Sequence, residues 1–287
     1  YLQLERMAAL IKSKNPALNF QPEAGNPFDN MTRLQGSQTT LAWGLSPLVI
    51  AAFSGKPPYA APHIDVRLVM AGLGYVDTLF CVPSGSPIRS VREIFEKKMP
   101  IRIGAGRLGT LDEWELQRIF QFYNTTFSEF RRRGGSFVFG SFPDLLGRIR
   151  VGELDALIFD SSVPATKRET LEHGQKLRIL PMDDDLLADL EQFGMFRTIV
   201  EGGSYGELVS NDIGSPTAAA ANTIVTNAKA PENVVHDLVK VLLDNLDALR
   251  ALSPALAQFD PNDATAIGGV PLHPGAERAY REAGLLK

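Results

Sequence analysis

The stretch IRIGAGRLGT, Ile101 to Thr110, decides how the fold is read. Gly104, Gly106 and Gly109 spell G-x-G-x-x-G, the pattern that lets a backbone approach a dinucleotide pyrophosphate at a helix N-terminus. The apolar run before it predicts a strand. The residues after it predict a helix, with Thr110 and Glu113 as an S/T-x-x-E capping box and Leu116, Ile119, Phe120 and Tyr123 striping one face. A dinucleotide site needs an acidic residue at the end of the next strand, but that strand ends FVFGS. Asp112 and Glu113 also crowd the first helical turn with negative charge. The stretch therefore reads as a glycine-permitted turn into helix N–H groups that suit a small anion. A tight turn without a ligand has the same spacing, and both readings stand on these residues.

Outward from this point the chain alternates strands and helices. YLQLERMAAL predicts a helix, LNFQPEA a strand and FDNMTRLQG a short helix. TTLAWGL, VRLVMAG and DTLFCVP predict strands, with the helix SPLVIAAF after the first of them and SVREIFE after the last. Beyond the opening stretch come the strand SFVFG, a helix PDLLGRIRV capped by Ser141 and Asp144, the strand DALIF and a helix PATKRETLEHG. KLRILPM and FRTIV predict strands around the helix DDDLLADLEQF. After Gly203 the residues favour turns until one late strand ending NTIVTN. Pro231 then opens a long helix with Val234, Val235, Leu238, Val241 and Leu242 on one side, and the tail closes with a short helix. Such alternation predicts an α/β protein with largely parallel sheets.

At 287 residues the chain exceeds the usual size of one domain, so two lobes are expected. Its 44% hydrophobic and 22% charged residues are those of an ordinary globular protein. A formal net charge of -4 argues against a nucleic-acid partner, and the run Arg131–Arg133 reads as a solvated helix end. Cys81, the single cysteine, lies in an apolar strand and reads as a buried small hydrophobe. No apolar stretch is long enough to span a bilayer.

Chemistry-bearing motifs are sparse. Gly202, Ser204 and Gly206 fit G-x-S-x-G, but the residues that follow cannot form the helix a nucleophile elbow requires. His63, His173, His236 and His273 each sit where a structural or surface role is expected. No metal-ligand spacing is present, and Asp183–Asp185 reads as helix capping. The residues favour neither an enzyme nor a cofactor.

Several segments together resemble the TAXI-type solute-binding proteins of TRAP transporters. They are the tail PLHPGAERAYREAGL, the segment GNPFDNMTRLQG with Gly25, Asn30, Leu34 and Gly36, the run GELDALIF and the loop EGGSYGEL. The resemblance covers nearly the whole chain in order. It implies a type II periplasmic-binding-protein fold: two α/β lobes, two crossings and a ligand cleft between the lobes. Residues 1–84 would form lobe 1, 85–215 lobe 2, and 216–287 the return to lobe 1 with C-terminal helices. It also implies a signal peptide and a first strand ahead of Tyr1, and hence a periplasmic location.

In that family the loop at Gly106–Thr110 usually reads G-S-G-T and meets a carboxylate; here Gly109 and Thr110 match, while Arg107 and Leu108 replace small residues. The implied ligand-binding residues lie at strand-to-helix loops: Trp43 and Ser46 after TTLAW, Gly106, Arg107, Leu108, Gly109 and Thr110, and Asp160, Ser161 and Ser162 after DALIF. Asn30 and Tyr205 complete the set. Arg107 would clamp a carboxylate, Asp160 would take an ammonium or hydroxyl group, and Trp43 and Tyr205 would flank an apolar stem. Core packing of Trp43 and Tyr205, and helix capping by Asp160, are the competing roles. The implied function is capture of a small organic acid or acidic amino acid by a monomer. Hinge closure would then deliver the ligand to TRAP transporter membrane subunits. An extracytoplasmic ligand sensor, or an oxidoreductase using the glycine loop, are the alternatives.

Overall fold

The computed structural model describes residues 2–161, 176–205 and 213–286. The chain divides into two compact units, one of residues 1–75 and 221–287, the other of residues 76–220. The chain thus leaves the first unit after Tyr75 and re-enters it at Ala221. The expected lobe boundaries lay later at the first crossing and earlier at the second.

In the first unit, α1 (Leu2–Lys14), α2 (Pro27–Gln35), β1 (Leu41–Leu45), α3 (Ser46–Ser54) and β2 (Val66–Met70) precede the first crossing. Asn26 caps α2 by accepting a hydrogen bond from the Phe28 amide, and Pro27 supplies its first turn. The segment 18–24, expected as a strand, forms no regular element. Pro22 has no N–H to give a ladder, and Gly25 leads directly into the cap of α2.

In the second unit, β3 (Tyr75–Pro83), α4 (Val91–Glu96), β4 (Arg102–Ala105), α5 (Leu111–Phe122), α6 (Phe127–Arg132), β5 (Ser136–Phe139), α7 (Phe142–Arg150) and β6 (Ala156–Ser161) follow in order. β7 (Leu177–Ile179), α8 (Asp184–Glu191) and β8 (Phe196–Val200) come next, and β9 (Ser215–Asn227) carries the chain back. The expected helix PATKRETLEHG lies outside the described residues. The first unit is then completed by α9 (Glu232–Leu243), α10 (Leu246–Arg250) and α11 (Pro274–Glu282).

The sheets are mixed, not largely parallel. β4 pairs in parallel with β5 and β6. β3 pairs antiparallel with β6 and β7, and β1, β2 and β8 each pair antiparallel with β9. Parallel neighbours here are β4, β5 and β6, which are joined through helices in sequence. Here β9 returns from far along the sequence and inserts against the direction of its partners, and β3 does the same beside β6.

Each unit has its own core. In the first, Met7 and Ile11 of α1 pack with Val69, Met70, Val235, Leu238, Val239 and Leu242. Tyr280 of α11 is fully buried there, and its hydroxyl donates to the Val69 carbonyl at 2.7 Å. In the second, Leu79 and Cys81 of β3 pack with Leu145, Ile149, Leu157 and Ile179. A phenylalanine cluster of Phe120, Phe127, Phe130 and Phe137 closes the far side of α5.

Candidate functional site

The second unit places the glycine loop at the end of β4, and α5 begins at Leu111. Thr110 occupies the N-cap position but forms no capping box. Its hydroxyl donates instead to the Arg107 carbonyl at 2.6 Å, closing the turn on itself. Glu113 turns back further than expected, and its carboxylate accepts the Gly109 amide at 2.7 Å. The first-turn acid thus takes the amide one residue before the N-cap instead of the N-cap amide of a capping box.

Asp112 folds inward. One carboxylate oxygen accepts the Asp160 amide at 2.6 Å, which joins the loop after β4 to the end of β6. The other lies so close to Gly106 that a Cβ there would meet it at 1.6 Å, so only glycine fits. The turn amides expected to hold a ligand carboxylate are thus met in part by the chain's own carboxylates. Within the turn, Glu113 meets the Gly109 amide, while Asp112 reaches out of the turn to Asp160.

Beneath the turn lies a buried acid cluster. Glu115 is fully buried; one oxygen accepts the Thr78 hydroxyl at 2.6 Å, and the carboxyl interacts with Asp160. Burial pushes the Glu115 carboxyl up to about 8, with the Asp112 charge adding to the shift. Asp160 is held well above the usual carboxylate range by burial, then by repulsion from Glu115 and Asp112. Burial raises Asp112 as well. Asp77, at the start of β3 and paired in register with Ser161, is raised to about 6 by burial. No lysine or arginine among the described residues hydrogen-bonds Asp112, Glu115 or Asp160, so no cation offsets the burial that raises all three, and they titrate as a group. No group of three or more His, Cys, Asp and Glu among the described residues has the geometry to hold a metal ion.

Arg107 and Leu108 form the exposed tip of the loop, and Leu108 is 66% exposed. The Arg107 guanidinium has no hydrogen-bond or ion-pair partner among the described residues. Ser161 is buried in β6; Ser162 lies outside the described residues. Tyr205 is 3% exposed and belongs to the core cluster of this unit with Leu145 and Val200. Ser204 of the G-x-S-x-G match donates its hydroxyl to the Glu201 carbonyl, and Gly206 lies outside the described residues.

In the first unit two of the expected residues, Asn30 and Trp43, are linked directly. The Asn30 side-chain amide donates to the Trp43 carbonyl at 2.9 Å. The Trp43 indole N–H donates to Asn222 Oδ1 at 2.8 Å, and the ring is half-buried. Ser46 is fully buried at the start of α3, where its oxygen accepts the Ala221 amide at 3.0 Å. Asn222, Asp112 and Glu115 were not singled out from the sequence as site residues. Glu115 leaves a sequence signal: a lone acid four residues before Ile119 on an otherwise apolar helical face.

His236, on the surface of α9, bridges Asp237 and Glu282 through both ring nitrogens, at 3.0 and 2.9 Å. His273 accepts the Gly275 amide and caps α11. His63 contacts Thr32 and the Ala61 carbonyl. His173 lies outside the described residues.

The family model of the NMT1-like family matches residues 1–284. Among solved structures, the chain is similar to PhnD1 from Prochlorococcus marinus (MIT 9301) in complex with methylphosphonate, at 11% identity and TM-score 0.58 over 99% of this chain and 93% of that one. It is similar to MatC from Rhodopseudomonas palustris with bound malate, at 12% identity and TM-score 0.54 over the same shares. A third is XAC2383 from Xanthomonas citri bound to chloride ion, at 15% identity and TM-score 0.55 over 99% and 92%. The fold is therefore the mixed α/β fold of type II periplasmic binding proteins over its full length. No helix among the described residues is long and apolar enough to cross a membrane.

Proposed function

The chain belongs to the NMT1-like family, and from that premise we propose that it is an extracytoplasmic solute-binding protein of the TAXI type. Its ligand is a small organic acid or amino acid that also carries an ammonium or hydroxyl group. A monomer captures it in the periplasm, and hinge closure about the two crossings presents the loaded form to TRAP transporter membrane subunits. The protein performs no chemistry on it.

The observation that supports this reading is the pairing of opposite chemistries in the second unit, at the loop after β4 and at the end of β6. Arg107 offers a guanidinium without a partner among the described residues at the exposed tip, and Asp112 ties that loop to Asp160 at 2.6 Å. A guanidinium holds a carboxylate through two parallel hydrogen bonds, while a carboxyl oxygen of Asp160 accepts a hydrogen bond from an ammonium or hydroxyl group. The malate bound by the similar MatC carries both a carboxylate and a hydroxyl group. Because Glu113 already takes the Gly109 amide, Arg107 rather than that amide is the carboxylate partner.

A thermal-shift screen against hydroxy acids, amino acids, dicarboxylates, methylphosphonate and NAD(P) tests this. A ligand at a hundredfold excess over its Kd adds about 2.7 kcal/mol of stability. A shift with one carboxylate class, lost in Arg107→Ala, is the expected result. A shift with NAD(P) alone would overturn the reading in favour of a nucleotide site at the glycine loop.

A further inference from the structure

Asn222 stands at the point where the chain re-enters the first unit, one residue after Ala221, and it is 8% exposed. Gly74 stands one residue before the chain leaves that unit. Three hydrogen bonds join the two segments: the Asn222 amide to the Gly74 carbonyl at 2.9 Å, the Leu73 amide to the Asn222 carbonyl at 3.1 Å, and the Asn222 side-chain amide to the Gly74 carbonyl at 3.2 Å. Gly74 has φ +87, and a Cβ there would meet the Ala255 carbonyl oxygen at 2.6 Å, so this conformation requires glycine. The remaining oxygen of the Asn222 side chain accepts the Trp43 indole N–H at 2.8 Å.

We propose that Asn222 is a positioning residue, tying the Trp43 ring to both crossing segments so that a load on the ring is felt at Leu73 and Gly74. One side chain makes this possible because its two ends have opposite character. The carbonyl end takes the indole proton, and the amide end doubles the donors on the Gly74 carbonyl. The indole hydrogen bond fixes the amide orientation, and that orientation aims the donor at Gly74. Loss of the indole frees the side chain to turn, so the contact at Gly74 weakens without any change in the crossing segments themselves. Asn30 steadies the same strand from the other side through the Trp43 carbonyl. The inference rests on the functional reading only in taking Trp43 as a ligand contact.

The test uses the full ligand-free chain and amide hydrogen exchange read by NMR. Trp43→Phe removes the indole donor and keeps an aromatic ring. Exchange at Leu73 and Asn222 is expected to speed up about fivefold, the scale of one hydrogen bond, while Val225, further along β9, keeps its rate. Asn222→Asp keeps the acceptor and removes the donor to Gly74. It is expected to leave the Trp43 indole N–H resonance in its hydrogen-bonded position while accelerating the same two amides. Unchanged exchange at Leu73 and Asn222 in Trp43→Phe would overturn the proposal, and so would equal acceleration throughout the unit, which marks a merely structural contact. Failure of L-malate, L-glutamate and methylphosphonate to bind would contradict the functional reading and not this coupling, which the ligand-free measurement decides by itself.

Discussion

Replacing Glu115 by glutamine is expected to flatten the dependence of stability on pH. Glu115 is fully buried, accepts the Thr78 hydroxyl at 2.6 Å and interacts with Asp160. Its folded value of about 8 lies above the unfolded 4.5, so the folded protein holds a proton that the unfolded chain releases. Below 4.5 both states are protonated and the stabilisation is fully present; it is lost as pH rises through about 8. Inside that window each pH unit costs about 1.4 kcal/mol per such group. Unfolding entropy near 2.1 cal/mol/K per residue amounts to about 0.6 kcal/mol/K for 287 residues. The wild type is thus expected to lose roughly 2 °C in Tm per pH unit through Glu115 alone. Glutamine can accept from Thr78 and donate to Asp160, and it cannot ionise. Calorimetric Tm values across the window should fall less steeply in Glu115→Gln, with the variant more stable than wild type at the alkaline end. Equal slopes in the two proteins would refute the assignment of the buried proton to this cluster.

Gly106→Ala should destabilise by about 2 kcal/mol, because the new methyl would collide with the Asp112 carboxylate; the urea midpoint reads it. His236 offers both ring nitrogens to carboxylates, which requires the doubly protonated ring, and its value is raised first by Asp237 and then by Glu282. Its stabilisation is present below the ordinary 6.5 and lost as pH rises through the raised value, so His236→Gln should be less stable than wild type in acid and equal to it in alkali. Tyr280→Phe should cost about 1 kcal/mol through the lost hydrogen bond to the buried Val69 carbonyl, read as a shift in denaturation midpoint.

Local signals were legible wherever a cap and a periodic face agreed. Pro27 and the helical spacing of Met31 and Leu34 mark α2, and Ser141 with Asp144 marks α7. The Thr110 box was not legible, because Arg107 supplies a competing carbonyl and Gly109 a competing amide that no pattern encodes. Strand direction was hidden for a similar reason: nothing in NTIVTN says that it returns between partners it opposes. The candidate site shows the same division. The loops after β1 and β4 are nameable from sequence, since ligands of open α/β sheets gather at such loops; the loop after β6 lies outside the described residues. The roles of Asp112, Glu115 and Asn222 depend on contacts between elements distant in sequence, such as Asp112 with Asp160 and Trp43 with Asn222. Tyr205 illustrates the converse, an aromatic residue at a promising loop that packing draws into the core.

Native mass spectrometry of the intact chain after incubation with the carboxylate panel tests the central claim most directly. A single adduct whose mass equals that of one unmodified hydroxy or amino acid, recovered chemically unchanged on acid release, is the expected result. Recovery of a converted product, or an adduct with NAD(P) and none of the acids, would contradict it.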